Sequence, residues 1–328
     1  MTSGTRMSMK TNGILTPIAM LWFGLAWANP MAHAQTKPPL PHARLNVLAS
    51  RNSVGALNLE DAQAAGTIWV QAVGRRRGFQ LDSRFEISDS LETTRKRIEE
   101  SSVDLVILDI VEYVKLAPLG LLQPFVAMAR GKTGKVQNYH LIVNRDSGVA
   151  SIADLRGKSV LSYSRVAVDL GGMWVETLLN DRHLGRAERF FGSITRVTKP
   201  SSACLPVFFG KLDACLVDIA GWEVLTELNP RLASKLRILA TSPAYLEGVT
   251  CVQVNHQDFH EELMRSLLEL DQDPEGRQIL AIFKGDRVVA ITDQDAASAR
   301  ELWTKYLSFA APPASAGRPA GGQDLRRP

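Results

Sequence analysis

Cysteine is scarce in this 328-residue chain, which holds only Cys204, Cys215 and Cys251. No two form a CxxC pair, and no Cys/His spacing matches a zinc site, which argues against a metal ribbon or a thioredoxin-like redox motif. An odd count leaves at least one thiol unpaired within the chain. The three read as small core residues. A Cys215–Cys251 or Cys204–Cys251 bridge is the alternative that an oxidising compartment permits. A charge excess is also lacking. There are 38 basic and 34 acidic side chains, and Arg6 and Lys10 lie in the first ten residues. The tail "PPASAGRPAGGQDLRRP" adds Arg318, Arg326 and Arg327 against Asp324. The folded part is therefore near neutral, and the pI of about 9.0 is no nucleic-acid footprint. "GRRRG", Gly74 to Gly78, is the one dense basic run and reads as a solvated helix end.

Catalytic signatures are missing as well. There is no Gly-x-Ser-x-Gly elbow, and no His stands in a recognisable base position beside Ser162, Ser164, His140 and Asp218. His42, His183, His256 and His260 sit in loop-like or exposed contexts. "HQDFH" has only Asp258 between its two His and no HExxH, so no metal site is expected. No cofactor is expected either. Beyond the N-terminal segment no apolar run reaches the roughly 20 residues of a membrane-spanning helix.

What is present begins with a leader-like segment. Arg6 and Lys10 precede an apolar stretch from Ile14 to Ala28, broken by Pro17, and Ala32-His33-Ala34 supplies small residues for cleavage before Gln35. This pattern reads as a secretory signal peptide over residues 1–34 and sets a periplasmic expectation. Gln35 to Arg44 is Pro-rich, and the Pro/Gly/Ala-rich segment after Ala311 reads as a disordered tail.

Between these limits strand and helix signals alternate. "RLNVLAS" reads as a strand and "NLEDAQAAGTIWVQAVG" as a helix, with Ala62, Ile68, Trp69 and Ala72 near helical spacing. "VDLVILDI" is a near-continuous apolar run that suits a strand buried on both faces. A second series starts near Ser151, with "KSVLSYS", "DLGGMWVETLLNDRHLG", "SSACLPVFFGK" and "LDACLVDIA" read as strand, helix, helix and strand. Three helical segments close the chain. This alternation implies an α/β protein with mostly parallel sheets flanked by helices.

Five stretches in order carry a resemblance. "DAQAAGTIWVQAVGRRRG", "RIEESSVDLVILDIVEYV", "IADLRGKSV", "FFGKLDACLVD" and "DPEGRQILAIFKGDRVVAITDQDAASARELW" resemble the periplasmic phosphate/phosphite/phosphonate-binding proteins of ABC transporters, over about Leu45 to Tyr306. That resemblance implies a two-lobed type II periplasmic binding protein that closes about a hinge, like a venus flytrap. It places lobe one at Arg44 to His140 plus Val252 to Phe309 and lobe two at Leu141 to Cys251. "NYHLIVN" and "EGVTCVQ" would cross between them. It implies a monomer that binds a small polar ligand in the inter-lobe cleft, with an inner-membrane ABC permease or a membrane sensor as partner and no nucleic acid. A sensory or adaptor protein with an altered pocket is the alternative. An enzyme on the same fold is disfavoured, because no nucleophile–base pair or metal cluster is present.

The candidate ligand residues follow. The family has a Ser/Thr-rich, Gly-containing turn where this chain has Ala167-Val168-Asp169-Leu170-Gly171-Gly172. Asp169 is either a helix cap or a contact for an ammonium, amide or hydroxyl group, and its charge repels a bare phosphate. Gly171 permits close backbone approach. Asp218 ends an apolar strand and either faces the cleft or caps the next helix. Ser201 and Ser202 either cap a helix or turn hydroxyls to a ligand. Tyr113 matches a family Tyr near the ligand or packs in the core, with Asp109 and Glu112 beside it. Ser164, Ser90 and Ser53 are further cleft candidates, and Arg165 and Lys199 the candidate cations.

Overall fold

The computed structural model describes residues 42–55, 57–76, 80–164, 169–255, 260–272 and 274–310. The leader, the tail, Arg165, Ala167-Val168 and His256 lie outside them. The chain starts with β1 (His42–Ser50), α1 (Leu59–Arg76), β2 (Gln80–Ser88), α2 (Leu91–Glu99), β3 (Leu105–Asp109), α3 (Ile110–Leu116) and β4 (Leu122–Ala129). After β5 (Val136–Gln137) come β6 (Tyr139–Asn144), β7 (Ser159–Tyr163), α4 (Leu170–Asp181), α5 (Ala187–Phe190), β8 (Ser193–Val197), α6 (Pro200–Phe208) and β9 (Ala214–Asp218). Then follow α7 (Ile219–Leu228), α8 (Arg231–Lys235), β10 (Leu236–Thr241), β11 (Tyr245–Leu246) and β12 (Gly248–Gln253). The last elements are α9 (His260–Leu268), α10 (Pro274–Ile282), β13 (Arg287–Ala290) and α11 (Ala297–Ala310).

Two large sheets result. One has the order β13-β4-β12-β3-β1-β2 and the other β10-β6-β9-β7-β8. The βα units supply parallel pairs, β1 with β2 and β3, and β7 with β8 and β9. β12 runs antiparallel to β3 and β4, and β6 antiparallel to β9 and β10. The sheets are therefore mixed, where alternation alone implied mostly parallel ones. The reason lies in the two returning connections, which bring each crossing strand back against the direction of its neighbours.

The sequence reading set the lobe boundaries inside these two strands, and each strand lies wholly in one sheet. Tyr139 and His140, read with lobe one, pair with Asp218 and Val217 in the second sheet. Gly248 to Cys251, read with lobe two, pair with Asp109 to Val106 in the first. The chain passes between sheets through the short antiparallel pair of β5 and β11, which joins Gln137 to Tyr245 and Val136 to Leu246.

Helix α1 shows how local sequence builds the first layer. Ala62, Ala65, Trp69 and Ala72 recur at spacings of three and four and are buried, while Ile68 is half exposed. Gly66 lets α1 sit directly on β2, since a Cβ there would lie 2.5 Å from the Phe85 ring. Cys204 and Cys215 are buried in the second lobe with sulfurs 3.8 Å apart, and Cys251 is buried in the first sheet. No bridge is formed, and the two neighbouring thiols are a different pair from those the sequence suggested. Helix α11 packs against both α3 and α4, so one hydrophobic cluster runs from Val111 and Tyr113 through Leu302 to Leu170 and Trp174.

Candidate functional site

Each lobe ends a buried strand in Asp-Ile. In β3 the run Leu105–Asp109 is almost wholly buried and stops at Asp109, which caps α3. Its Oδ1 accepts from the N–H groups of Val111 at 2.7 Å and Glu112 at 3.0 Å. The Glu112 carboxylate returns the contact by accepting from Asp109 N–H at 3.2 Å, a reciprocal capping box. Glu112 also accepts from Ser50 Oγ and, at 2.9 Å, from Asn52 Nδ2, which ties the loop after β1 to α3. In β9 the same logic ends at Asp218, whose Oδ1 accepts from Gly221 N–H at 2.8 Å at the start of α7. Helix α4 begins with Asp169, which accepts from Gly172 N–H at 2.9 Å and from Ser162 Oγ at 3.2 Å.

These three aspartates line one cavity of about 260 Å³, with Ser53, Tyr139 and Ser164 among its other walls. The short inter-sheet pair holds both strand ends in place. Ile110 N–H donates to Glu247 O at 3.0 Å beside β11, and Ile219 N–H donates to Asn138 O at 2.9 Å beside β5. At the rim Arg130 is paired with Glu247 and donates from Nε to Lys284 O at 2.8 Å. Among the described residues lining the cavity, Asp109, Asp169, Asp218 and Glu247 face only Arg130 and Lys284 as cations. The balance is acidic.

Asp109 is the most perturbed of these groups. Its Oδ2 is buried and has no hydrogen-bond partner among the described residues. Burial, and then the neighbouring charge of Glu112, push its pKa up to about 7. A buried polar atom without a partner is a rarity that calls for a missing donor.

The predicted residues divide cleanly. Asp169, Asp218, Ser164 and Ser53 line the cavity. Gly171 lies just behind the wall, where a Cβ would come within 2.8 Å of the Tyr139 ring, so its role is to seat that ring. Tyr113 does not line the cavity. It is 1% exposed, and its hydroxyl donates to Asp293 at 2.7 Å, because α3 turns this face toward α11. Ser90 caps α2 by accepting from Thr93 N–H at 3.1 Å and is exposed, away from the cavity. Ser201 and Ser202 are not in the wall either; α6 starts one residue earlier, at Pro200 after an N-cap Lys199. The hydrolase-like residues do not assemble, since His140 Nδ1 pairs with Thr241 Oγ1 at 3.0 Å and Ser162 with Asp169. Sequence reasoning overlooked Asn52, Tyr139, Tyr163, Arg130 and Glu247. It noted Asp109 only as a neighbour of Tyr113, although "LVILDI" and "ACLVDI" carry one signal.

Among the described residues, no group of His, Cys, Asp and Glu is arranged to hold a metal, and no helix is long and apolar enough to cross a membrane. No curated protein matches the chain in sequence. Solved structures resemble it in fold. XAC2383 from Xanthomonas citri bound to ATP is 16% identical, with a TM-score of 0.58 over 81% of this chain and 97% of that one. PhnD1 from Prochlorococcus marinus in complex with methylphosphonate is 18% identical, with a TM-score of 0.52 over 80% and 97%. A binding protein component of an ABC phosphonate transporter from Pseudomonas aeruginosa (PA3383) is 16% identical, with a TM-score of 0.51 over 81% and 87%. The fold is that of the type II periplasmic binding proteins. Residues 69–296 match the family model described as "ABC transporter, phosphonate, periplasmic substrate-binding protein", and by that match, over more than two thirds of its length, the chain belongs to this family.

Proposed function

We propose that this protein is exported, captures a small polar solute between its lobes, and presents it to an ABC permease. The solute carries an ammonium or another strong hydrogen-bond donor rather than a bare phosphate group. The observation behind this reading is the acidic wall, four carboxylates against two cations among the described lining residues, with no donor to Asp109 Oδ2 among the described residues. A phosphate dianion brought beside Asp169 would meet repulsion that a low-dielectric cleft strengthens. An ammonium supplies what both Asp109 and the wall lack. Closure is driven by contacts that the ligand makes only when both lobes touch it. In this reading the lobes are the two sheets with their helices, and the chain works as a monomer without catalysis.

The test is a thermal-shift panel on residues 35–328 with amines, amino acids, aminoalkylphosphonates, alkylphosphonates and phosphate. A ligand at about a hundred times its Kd adds about 2.7 kcal/mol of stability. Donor-bearing ligands are expected to raise Tm, less so in Asp109→Asn. A shift by phosphate or simple alkylphosphonates alone, undiminished in Asp169→Ala, overturns the charge argument. The hydroxyl-free turn at Ala167 to Gly172 favours a second reading, a sensory or adaptor protein with an altered pocket. A silent panel would support it.

A further inference from the structure

The cavity does not stop at the aspartates. It continues into lobe one between the first sheet and helices α1, α9 and α10, where Trp69, Phe85, Met128, Leu267, Ile279 and Phe283 form its walls. These side chains belong to the hydrophobic cluster of that lobe or pack against it. The second-lobe cluster around Ile142, Val207 and Cys215 contributes only Tyr163 to the cavity, at the cleft itself. Protein interiors are close-packed, with few voids larger than a water molecule. An apolar void stays dry, and one of about 150 Å³ already takes a benzene. A chamber lined by such side chains therefore invites an apolar guest.

We propose that this chamber takes the apolar tail of the ligand that the cleft binds, so that the substrate class is an amphiphile with a polar head and an alkyl or aryl tail. The inference rests on reading the cleft as a ligand site. Continuity carries it. Ile107 and Asp109 stand two apart on β3, hence on one face, and both line the cavity. Val126 and Met128 repeat that spacing on β4, further along the same wall. A head held at the strand ends thus sends its tail over Ile107 toward α10.

The experiment is calorimetry on residues 35–328 with three homologous series, n-alkylamines, n-alkanols and n-alkylphosphonates, from two to ten carbons and below micellar concentrations. Affinity is expected to rise about three- to fourfold per methylene until the chamber is full. Ile279→Trp and Val126→Phe, each grown into the chamber, should flatten that slope, and melting curves without ligand show whether each variant is folded. Flat affinity in all three series, no binding in any, or a slope undiminished in both folded variants overturns the proposal. Short amines that bind without a gain from lengthening would sink the tail site and leave the acidic cleft standing. A slope seen with alkanols or phosphonates but not with amines would keep the chamber and sink the charge reading.

Discussion

In lobe one β3 runs into Asp109-Ile110, and in lobe two β9 runs into Asp218-Ile219. Each aspartate caps the following helix, and each isoleucine N–H donates to a backbone carbonyl beside the short inter-sheet pair. The frames match, and the surroundings do not. The Asp109 carboxyl is crowded by Glu112 and has one oxygen without a partner among the described residues, and the cavity beside it extends among apolar side chains of that lobe. Of the second-lobe cluster around Ile142 and Cys215, only Tyr163 borders that cavity. Strand-end geometry is therefore set by backbone hydrogen bonding, which tolerates very different packing behind it. If the cleft holds the proposed ligand, discrimination falls to the side where the packing is incomplete.

The largest effects should come from the cores. Ile142→Ala in lobe two is expected to cost about 4 kcal/mol, while Leu280→Ala, whose side chain already borders empty space, should cost about 2 kcal/mol. Urea unfolding of both measures this, and equal costs would mean that the hollow closes in solution. The next effect is electrostatic. The folded-state pKa of Asp109, about 7, lies above the ordinary carboxylate value of 3.8. The folded state thus holds a proton that the unfolded chain has lost, and this contribution is present below about pH 4 and lost as pH rises through 7. Besides Glu112, the charges bordering the cavity among the described residues are Asp169, Asp218, Glu247, Arg130 and Lys284. From pH 5 to pH 8 the wild type should lose about 2 kcal/mol relative to Asp109→Asn, which can still cap α3. Parallel stability curves for the two would contradict the buried carboxyl.

Smaller effects separate structural caps from ligand contacts. Ser90→Ala and Asp169→Ala should each cost about 1 kcal/mol. Only Asp169→Ala should change the ligand preference in the thermal-shift panel; a binding change in Ser90→Ala would restore that residue to the site. The smallest expected effect is no effect. Burial raises the Cys251 thiol pKa, and the Cys204 contact together with burial raises that of Cys215, so folded protein should resist maleimide and release three reactive thiols on unfolding. Early labelling of Cys251 alone would show that the first sheet opens before the second.

Much of the fold was legible because βα units carry their own periodicity. The buried run of β3, the cap at Asp169 and the apolar face of α1 are all local patterns. β5 and β11 have two residues each and therefore no period to read, which is why the lobe boundaries were set inside β6 and β12 and not at this short pair. For Tyr113 the sequence left the cleft and the core as alternatives for a related reason. Its direction is fixed by Asp293, 180 residues away, and not by its neighbours in α3. The chamber left no sequence signal at all, since each lining side chain is an ordinary apolar residue and only their joint failure to fill space makes a cavity.

Helix α11 follows the last strand of the first sheet yet lies against α4 of the second lobe. Trp303 and Tyr306 stack at 6.0 Å, Lys115 of α3 sits 4.7 Å above the Trp303 ring, and Arg186 Nη1 donates to Phe309 O at 3.3 Å. The lobes thus share an attachment that is separate from the two chain crossings. Two crossings alone define an axis with free swing. Helix α11 also lies along β11, beside those crossings, where Ser298 Oγ donates to Ala244 O at 2.7 Å, so a swing of one sheet against the other would have to repack α11 against α3 or α4.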